Sequence, residues 1–417
     1  MFALVDCNSC YASCEQIFRP DLRNKPVIVL SNNDGCIIAR SKEAKALGIP
    51  GLHAYFKVRH LIERHQVSVF SSNFRLYGDI SHRIMDILRH FSPDIEIYSI
   101  DEMFLELSGI NQEFKHYGQK MKQAIWQQVR MPVSVGIAPS KTLSKLANHA
   151  AKIIPSCGGV CLLDSPHKWQ WLLRRVPVTK VWGIGSRLGK RLADMSIHTA
   201  WDLASSNPKT IRRQFNVCVE RTVEELNGNP CLMLEDIPPD KKQIYCTRSF
   251  GEKPTEITPL LQAVSLYANR AAEKLRKQQH LVLTIHVFIH TSPHQPNYYS
   301  NSTVVKLPYP TDDSRVISTY AKQALRSIYR PGHAYLKAGV GLIELTARKY
   351  HQQDIFQTHQ SKRTDELMNT LDNINQRYGR GTAFIAGEGI KKRWSMRQKH
   401  CSPHYTTNWN QLPIVRT

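Results

Sequence analysis

The chain has 417 residues, 41% of them hydrophobic, enough apolar material for ordinary cores and enough length for roughly two to four domains. With 56 Lys and Arg against 34 Asp and Glu, the formal charge is +22, so the long-range field attracts polyanions, nucleic acid first among them. No stretch approaches the ~20 apolar residues of a membrane span, and the opening "MFALVDCNSC" lacks the basic flank and length of a secretory signal, so a soluble, cytoplasmic chain without a membrane partner is expected.

"MFALVDC" reads as a buried strand that reaches Asp6 near its end, and "SCYASCEQIF" as the helix after it. Cys7, Cys10 and Cys14 fall here at C-x2-C-x3-C spacing; no second pair at zinc spacing follows, so buried free thiols are expected rather than a metal centre. "KPVIVLS" and "GCIIAR" read as strands, "SKEAKALG" as a helix, and Phe74 to Phe91 as a long helix with apolar residues at helical spacing. In "EIYSIDEMFLEL", Ile97 to Ile100 and Met103 to Leu107 are rich in strand formers, so two short strands meet near Asp101 and Glu102. A helix near Glu113 to Val129, the strand "PVSVGIA" and the helix "SKTLSKLANHAAK" complete an α/β or α+β domain.

Around Pro155 to Gly159 the pattern breaks, and a mostly helical segment runs to about Pro239. Within it, Gly183 and Gly185 are expected to form a tight turn between two short amphipathic helices, similar to a helix-hairpin-helix. Such a turn can present backbone N–H groups to a phosphate, with Lys190 and Arg191 at hand, although a bare G-x-G is also an ordinary turn. From Gln243 to Thr346 the order is βαββαβ, a ferredoxin-like layer with two helices on one sheet face. The strand "LVLTIHVFIHT" alternates Leu281, Leu283, Ile285, Val287 and Ile289 with Val282, Thr284, His286, Phe288 and His290, so the second, more polar face is expected to be open to a ligand. The tail from about Arg348 is polar, basic and weakly periodic.

Asp101 with Glu102 reads either as a solvated turn or as part of a cation site, and Asp6 as a strand-end cap or a third ligand. If the sheet folds in the usual way, the three acids stand on neighbouring strands and repel one another unless cations hold them. Two divalent ions about 3.5–4 Å apart are the arrangement that serves phosphoryl displacement, and Mg²⁺ suits hard carboxylate and phosphate oxygens.

"DCNSCYASCE", "YSIDEMFLEL", "VSVGIAPSKTLSKLANHAAK" and "VWGIG", in that order, resemble the motifs of the Y-family translesion DNA polymerases. "FRPDL", "VLSNNDGC", "EAKALG", "RSFGE", "RYGRGTAFIAGEGI" and "SPHYTT" are similar to the UmuC branch of that family, and the likeness runs over nearly the whole chain. The resemblance implies an α+β multidomain right-hand polymerase. Its palm would span 1–170 with fingers inserted at about 20–75, its helix-hairpin-helix thumb 171–239, its ferredoxin-like little finger 240–347, and a C-terminal region 348–417.

It further implies two Mg²⁺ ions held by the catalytic acids Asp6, Asp101 and Glu102 and the Cys7 carbonyl, with Tyr11 as the steric gate beneath the incoming sugar. Lys152, Lys45, Arg40 and Lys42 would meet the triphosphate, and Gly183, Gly185, Lys190, Arg191 and Arg248 the DNA. Lys45 stands where relatives often carry Arg and Lys42 where they often carry Tyr, so bidentate contact is lost there; Cys10 replaces a frequent aromatic residue, which loosens sugar selection. The implied partners are primer-template DNA, a deoxynucleoside triphosphate, a processed UmuD-like dimer, a RecA filament and the sliding clamp. The clamp would be met through Gln352, Ile355 and Phe356 of "YHQQDIFQ", where Gln353 departs from the usual Leu. Trp394 and Trp409 are candidates for an accessory surface or for packing onto the little finger. A metal-dependent nuclease or a non-catalytic DNA-binding subunit would share some of these features. Tyr11 with Lys152 argues against the first, and the intact acids against the second.

Overall fold

The computed structural model describes residues 1–235, 239–352 and 360–412. The chain divides into two compact units, one drawn from 1–31, 35–238 and 400–417, the other from 32–34 and 239–399.

The first unit opens with β1 (Phe2–Cys7) and α1 (Cys10–Ile17), then β2 (Val27–Leu30), β3 (Ile37–Arg40), α2 (Lys42–Ala46), α3 (Tyr55–Arg64) and β4 (Ser68–Ser71). After α4 (Phe74–Leu88) come β5 (Ile95–Ile97), β6 (Glu102–Glu106), α5 (Phe114–Val129), β7 (Val133–Ala138), α6 (Lys141–Ile153) and β8 (Val160–Leu162). β2, β3 and β4 form a small sheet in the order β3-β2-β4, closed by Ile49 and by Val58 and Ile62 of α3. The main sheet has the order β5-β6-β1-β7-β8. β1 pairs antiparallel with β6 on one side and β7 on the other, which explains its nearly unbroken apolar run.

The two faces of this sheet carry different helices. Val133, Val135 and Ile137 share a core with Met121 and Ile125 of α5 and with Ile84 and Leu88 of α4. On the other face Gly136 lets α6 approach: a Cβ there would fall 2.1 Å from the Asn148 nitrogen and 2.3 Å from the Ser144 carbonyl oxygen. The buried Asn148 side chain then donates to the Leu4 and Ser134 carbonyls, at 3.2 and 2.8 Å, tying α6 across two strands.

Three local expectations are corrected. The strand before the acidic pair is Ile95–Ile97, not Ile97 to Ile100, and residues 98–101 form the turn. The helical segment begins only after β8, a three-residue strand that pairs parallel with β7, because an edge strand so short carries no periodicity of its own. Its helices are α7 (Pro166–Leu173), α8 (Ser186–Ala193), α9 (Ala200–Ala204), α10 (Pro208–Gln214) and α11 (Val217–Leu226). The arm before Gly183 is a single 3-10 turn, Val178–Lys180, rather than an amphipathic helix, since Pro177 and two β-branched residues leave little room for helical propagation.

The second unit contains β9 (Ile244–Ser249), α12 (Ile257–Lys277), β10 (His280–Thr291), β11 (Ser300–Thr311), α13 (Ser314–Ile328) and β12 (Tyr335–Ala347), in the expected βαββαβ order. The sheet order is β11-β10-β12-β9 with every neighbouring pair antiparallel, so two split β-α-β units interlock, each inserting a strand between the other's two. Leu260, Val264 and Ala268 of α12 and Ile317, Ala321 and Leu325 of α13 fill the core beneath it. The alternation along β10 differs from expectation at one end: Val282, not Leu281 or Leu283, lies in that core, and the pattern resumes at Ile285. Glu344 on the paired strand takes a left-handed backbone, φ 54°, and both strands change phase around it.

The outer face of this sheet is half exposed. His286, Phe288 and His290 stack in a row, centroids 5.7 and 6.4 Å apart, and the Phe288 and Tyr245 rings lie over Gly339 and Gly341, where any Cβ would collide with them. Beyond β12, α14 (Lys362–Tyr378) is clasped by the Arg276 guanidinium, 2.7 and 2.8 Å from the two Asp372 oxygens. Trp394 is buried edge-on against Phe250 and Tyr267, which answers its role as packing, whereas Trp409 is 88% exposed. Tyr405 belongs to the first unit and stacks on Phe18. No helix among the described residues is long and apolar enough to cross a membrane.

Candidate active site

The antiparallel register places Asp6 of β1 directly opposite Glu102 of β6, and the Cys7 N–H donates to the Asp101 carbonyl at 2.9 Å. The turn that brings Asp101 into line is organised by Ser99. Its hydroxyl accepts the N–H groups of Asp101 and Glu102, at 3.2 and 3.0 Å, and donates to the Asp101 carboxylate. Three acids therefore gather at one end of the sheet, as the motif order implied. Burial raises Asp6 to about 6 against the opposing pull of Lys152, with Glu102 and Asp101 adding to the rise.

α6 supplies the compensating charge. Lys145 and Lys152 are seven residues apart, two turns along one helix face. Lys152 Nζ lies 2.6 Å from Asp6, and Lys145 Nζ lies 2.9 Å from each oxygen of Glu102. Lys145 is enclosed by rings, with Tyr98 at 4.5 Å, Trp182 at 5.3 Å and Phe104 at 6.0 Å. In this arrangement no three His, Cys, Asp or Glu side chains among the described residues converge as a metal-ligand set; the acids face ammonium groups and a hydroxyl instead. The donor chemistry, carboxylate oxygens beside a backbone carbonyl, suits a hard divalent cation.

Beside the acids opens a cleft of about 350 Å³, bounded among others by Asp101, Cys10, Tyr11, Arg40, Lys45 and Leu52. Lys45 donates to the Ser9 hydroxyl at 2.8 Å, and Arg40 to the Ile49 carbonyl. Burial, then the neighbouring Arg40 and Lys152 charges, push the Lys45 ammonium below its usual range, the signature of cations gathered without enough anions. Lys42 is exposed and does not line this cleft. Cys7, Cys10 and Cys14 are buried, packed in the main core, and none of the three forms a disulfide.

The impB/mucB/samB family model matches residues 5–149, its C-terminal domain 241–355, and the IMS family HHH motif 166–197; a domain of unknown function, DUF4113, matches 365–415. Protein ImpB of Salmonella typhimurium is 47% identical over 425 residues, covering all of both chains. Protein UmuC of Salmonella typhimurium strain LT2 is 45% identical over 422 residues, again over both full lengths. The chain belongs to the impB/mucB/samB family, within the Y-family DNA polymerases. DNA polymerase IV of Pelotomaculum thermopropionicum is 29% identical over 393 residues, 90% of this chain and 92% of that one. Among solved structures, a Y-family polymerase chimera of Dbh and Dpo4 superposes with a TM-score of 0.66 at 21% identity, over 83% of this chain and 99% of that one. An insertion ternary complex of Dbh DNA polymerase gives 0.54 at 21% identity, over 82% and 98%; both share the fold.

In this impB/mucB/samB-family chain the acids, Tyr11, Arg40, Lys45 and Lys145 lie inside the matched 5–149 segment, with Lys152 just beyond it. Gly183, φ 85°, and Gly185, which precedes the first residue of α8, lie in the HHH match with open space around both. Lys190 is exposed beside them. The exposed Arg191 guanidinium donates to the Gln214 carbonyl at 2.7 Å and sits 4.5 Å from the Phe215 ring, anchoring α8 to α10. Arg248 is exposed on β9. Gln352 is exposed, while Gln353, Ile355 and Phe356 lie outside the described residues. The sequence reading missed Ser99 and Lys145. Lys145 was signalled by its seven-residue spacing from Lys152.

Proposed function

We propose that this chain extends a primer across damaged template by two-metal phosphoryl transfer, in the manner of translesion synthesis during SOS mutagenesis. The observation that carries the reading is the pairing of Asp6 with Glu102 across neighbouring strands beside Asp101, which itself bounds a cleft shared with Tyr11, Arg40 and Lys45. A nuclease has no need of a cationic nucleotide pocket floored by an aromatic ring.

Asp6, Asp101, Glu102 and the Cys7 carbonyl would hold two Mg²⁺ ions, which when bound activate the primer 3′-oxygen and neutralise charge on the phosphates. Lys145 and Lys152 neutralise Glu102 and Asp6 and would yield these carboxylates to a bound cation. Lys152, Lys45 and Arg40 would meet the triphosphate, with Lys42 at the margin. Tyr11 lies beneath the sugar and excludes a 2′-hydroxyl. The 3′-oxygen bonds to the α-phosphorus, the bond to pyrophosphate breaks, and the protein contributes position and charge without a covalent intermediate.

The domain reading is palm 1–170 with fingers at about 20–75, thumb 171–239, little finger 240–347 and a C-terminal region 348–417. Gly183 and Gly185 offer backbone N–H groups to a DNA phosphate with Lys190 beside them, and Arg248 with the Tyr245 and His286–Phe288–His290 face serves the duplex. Full-length similarity to UmuC supports a processed UmuD-like dimer and a RecA filament as partners, with the clamp met through Gln352, Ile355 and Phe356. Such work takes place in the cytoplasm, where the DNA is.

Primer extension with Mg²⁺ on undamaged and abasic templates, with a UmuD-like dimer and RecA filament added, tests this reading. Template-dependent addition opposite the lesion is expected. Shortening of end-labelled DNA without any addition would replace it with the nuclease.

A further inference from the structure

Behind Tyr11 lies a second tyrosine that the chemistry above does not use. The Tyr77 ring stacks on Tyr11 with centroids 4.7 Å apart and planes 14° from parallel. Phe74 closes the edge of both rings, at 5.7 and 6.1 Å. Tyr77 is fully buried, and its hydroxyl donates to Glu15 Oε1 at 2.6 Å. Glu15 is itself fully buried, and it stands four residues after Tyr11 on the same face of α1. The other oxygen, Oε2, is buried without a hydrogen-bond partner among the described residues.

A buried carboxyl is a costly way to fill space that an apolar side chain would fill well. It does something an apolar side chain cannot: it fixes the rotation of the Tyr77 ring through its hydroxyl, and so the plane against which Tyr11 rests. Tyr11 needs such a support. One side of it faces an open cleft, and a ring there with free torsions would swing away from a 2′-hydroxyl rather than exclude it.

We infer that Tyr77, oriented by Glu15, is a positioning residue that holds the Tyr11 ring in place and thereby sets the discrimination between ribo- and deoxynucleotides. This rests on the proposed role of Tyr11. Neither Tyr77 nor Glu15 lines the cleft. Burial holds Glu15 up at about 7, and both its protonated and its ionised form keep an oxygen that accepts from Tyr77.

The test is single-turnover insertion of matched ribo- and deoxynucleotides by the full chain, read as the ratio of the two efficiencies, because a purely structural defect lowers both and leaves the ratio unmoved. Tyr77→Phe keeps the ring and removes the hydroxyl; it should raise ribonucleotide use relative to deoxynucleotide by about 5- to 10-fold. Glu15→Leu should match it, whereas Glu15→Gln, which keeps an acceptor oxygen, should stay within about 2-fold of the parent. In a Tyr11→Ala background Tyr77→Phe should add nothing further, since its effect passes through the missing ring. A parental ratio in both Tyr77→Phe and Glu15→Leu, alongside a raised ratio in Tyr11→Ala, would overturn the positioning role and leave the gate standing. An equal effect of Tyr77→Phe with and without Tyr11 would overturn it as well. An unchanged ratio in Tyr11→Ala would remove the gate itself, and the support with it. If Tyr77→Phe melts too low to assay, Glu15→Leu decides alone.

Discussion

Lys145 reaches both carboxylate oxygens of Glu102 at 2.9 Å from inside a box formed by Tyr98, Phe104 and Trp182. The rings hold the ammonium where a cation bound to Glu102 would need space. It would therefore compete with a cation bound at Glu102, and it offsets the charge that Glu102 presents to Asp6.

Lys145→Met should accordingly tighten divalent-cation binding, lowering the dissociation constant by about 3- to 10-fold, since no ammonium has to leave. Titration with Mn²⁺ followed by electron paramagnetic resonance reads this without any turnover. Weaker binding in the variant would show that Lys145 organises Glu102 for the metal rather than standing in for it.

Asp101→Asn should reduce nucleotide addition by about 10³-fold or more while primer-template affinity at fixed salt changes less than about 2-fold, because the acid serves the cation and the basic surface serves the DNA. Extension and fluorescence-anisotropy binding on one substrate separate the two effects. Near-parental extension by Asp101→Asn would mean that the acids at this sheet end are not the catalytic ones.

Glu15 makes stability depend on pH. Burial raises its carboxyl from 4.5 to about 7, partly offset by the Tyr77 hydrogen bond. Between those values the folded chain keeps a proton that the unfolded chain has lost, so this contribution is full below about 4.5 and is lost as pH rises to about 7. Its full size is on the order of 3 kcal/mol. Urea unfolding at pH 5.5, 6.5 and 8 should show a shallower decline with pH in Glu15→Gln than in the parent. Parallel declines would place the proton elsewhere.

The motif "YHQQDIFQ" predicts that Ile355→Ala with Phe356→Ala abolishes stimulation by the sliding clamp and spares clamp-independent extension. Processivity assays with and without loaded clamp measure it, and equal stimulation of variant and parent would discard the motif.

Periodicity made most of the elements legible, because amphipathic helices and buried strands write their solvent exposure into the residue pattern: α4, α5, α6 and the whole βαββαβ unit fall where expected. It failed where an element is too short to repeat, as in β8 and the 3-10 turn before Gly183, and where a backbone irregularity resets the phase, as Glu344 does opposite β10. The motif resemblance singled out Asp6, Asp101, Glu102, Tyr11 and Lys152 as candidates from short local stretches. By itself the sequence determined which chemical groups are available, since each motif is local and survives without its neighbours. Tertiary structure alone decided which groups meet. Lys145 faces Glu102, Arg191 reaches the Gln214 carbonyl, and Glu15 and Tyr77 close behind Tyr11 across 62 residues, because strand register, a missing Cβ at Gly136 and helix packing are relations between segments that no single segment encodes.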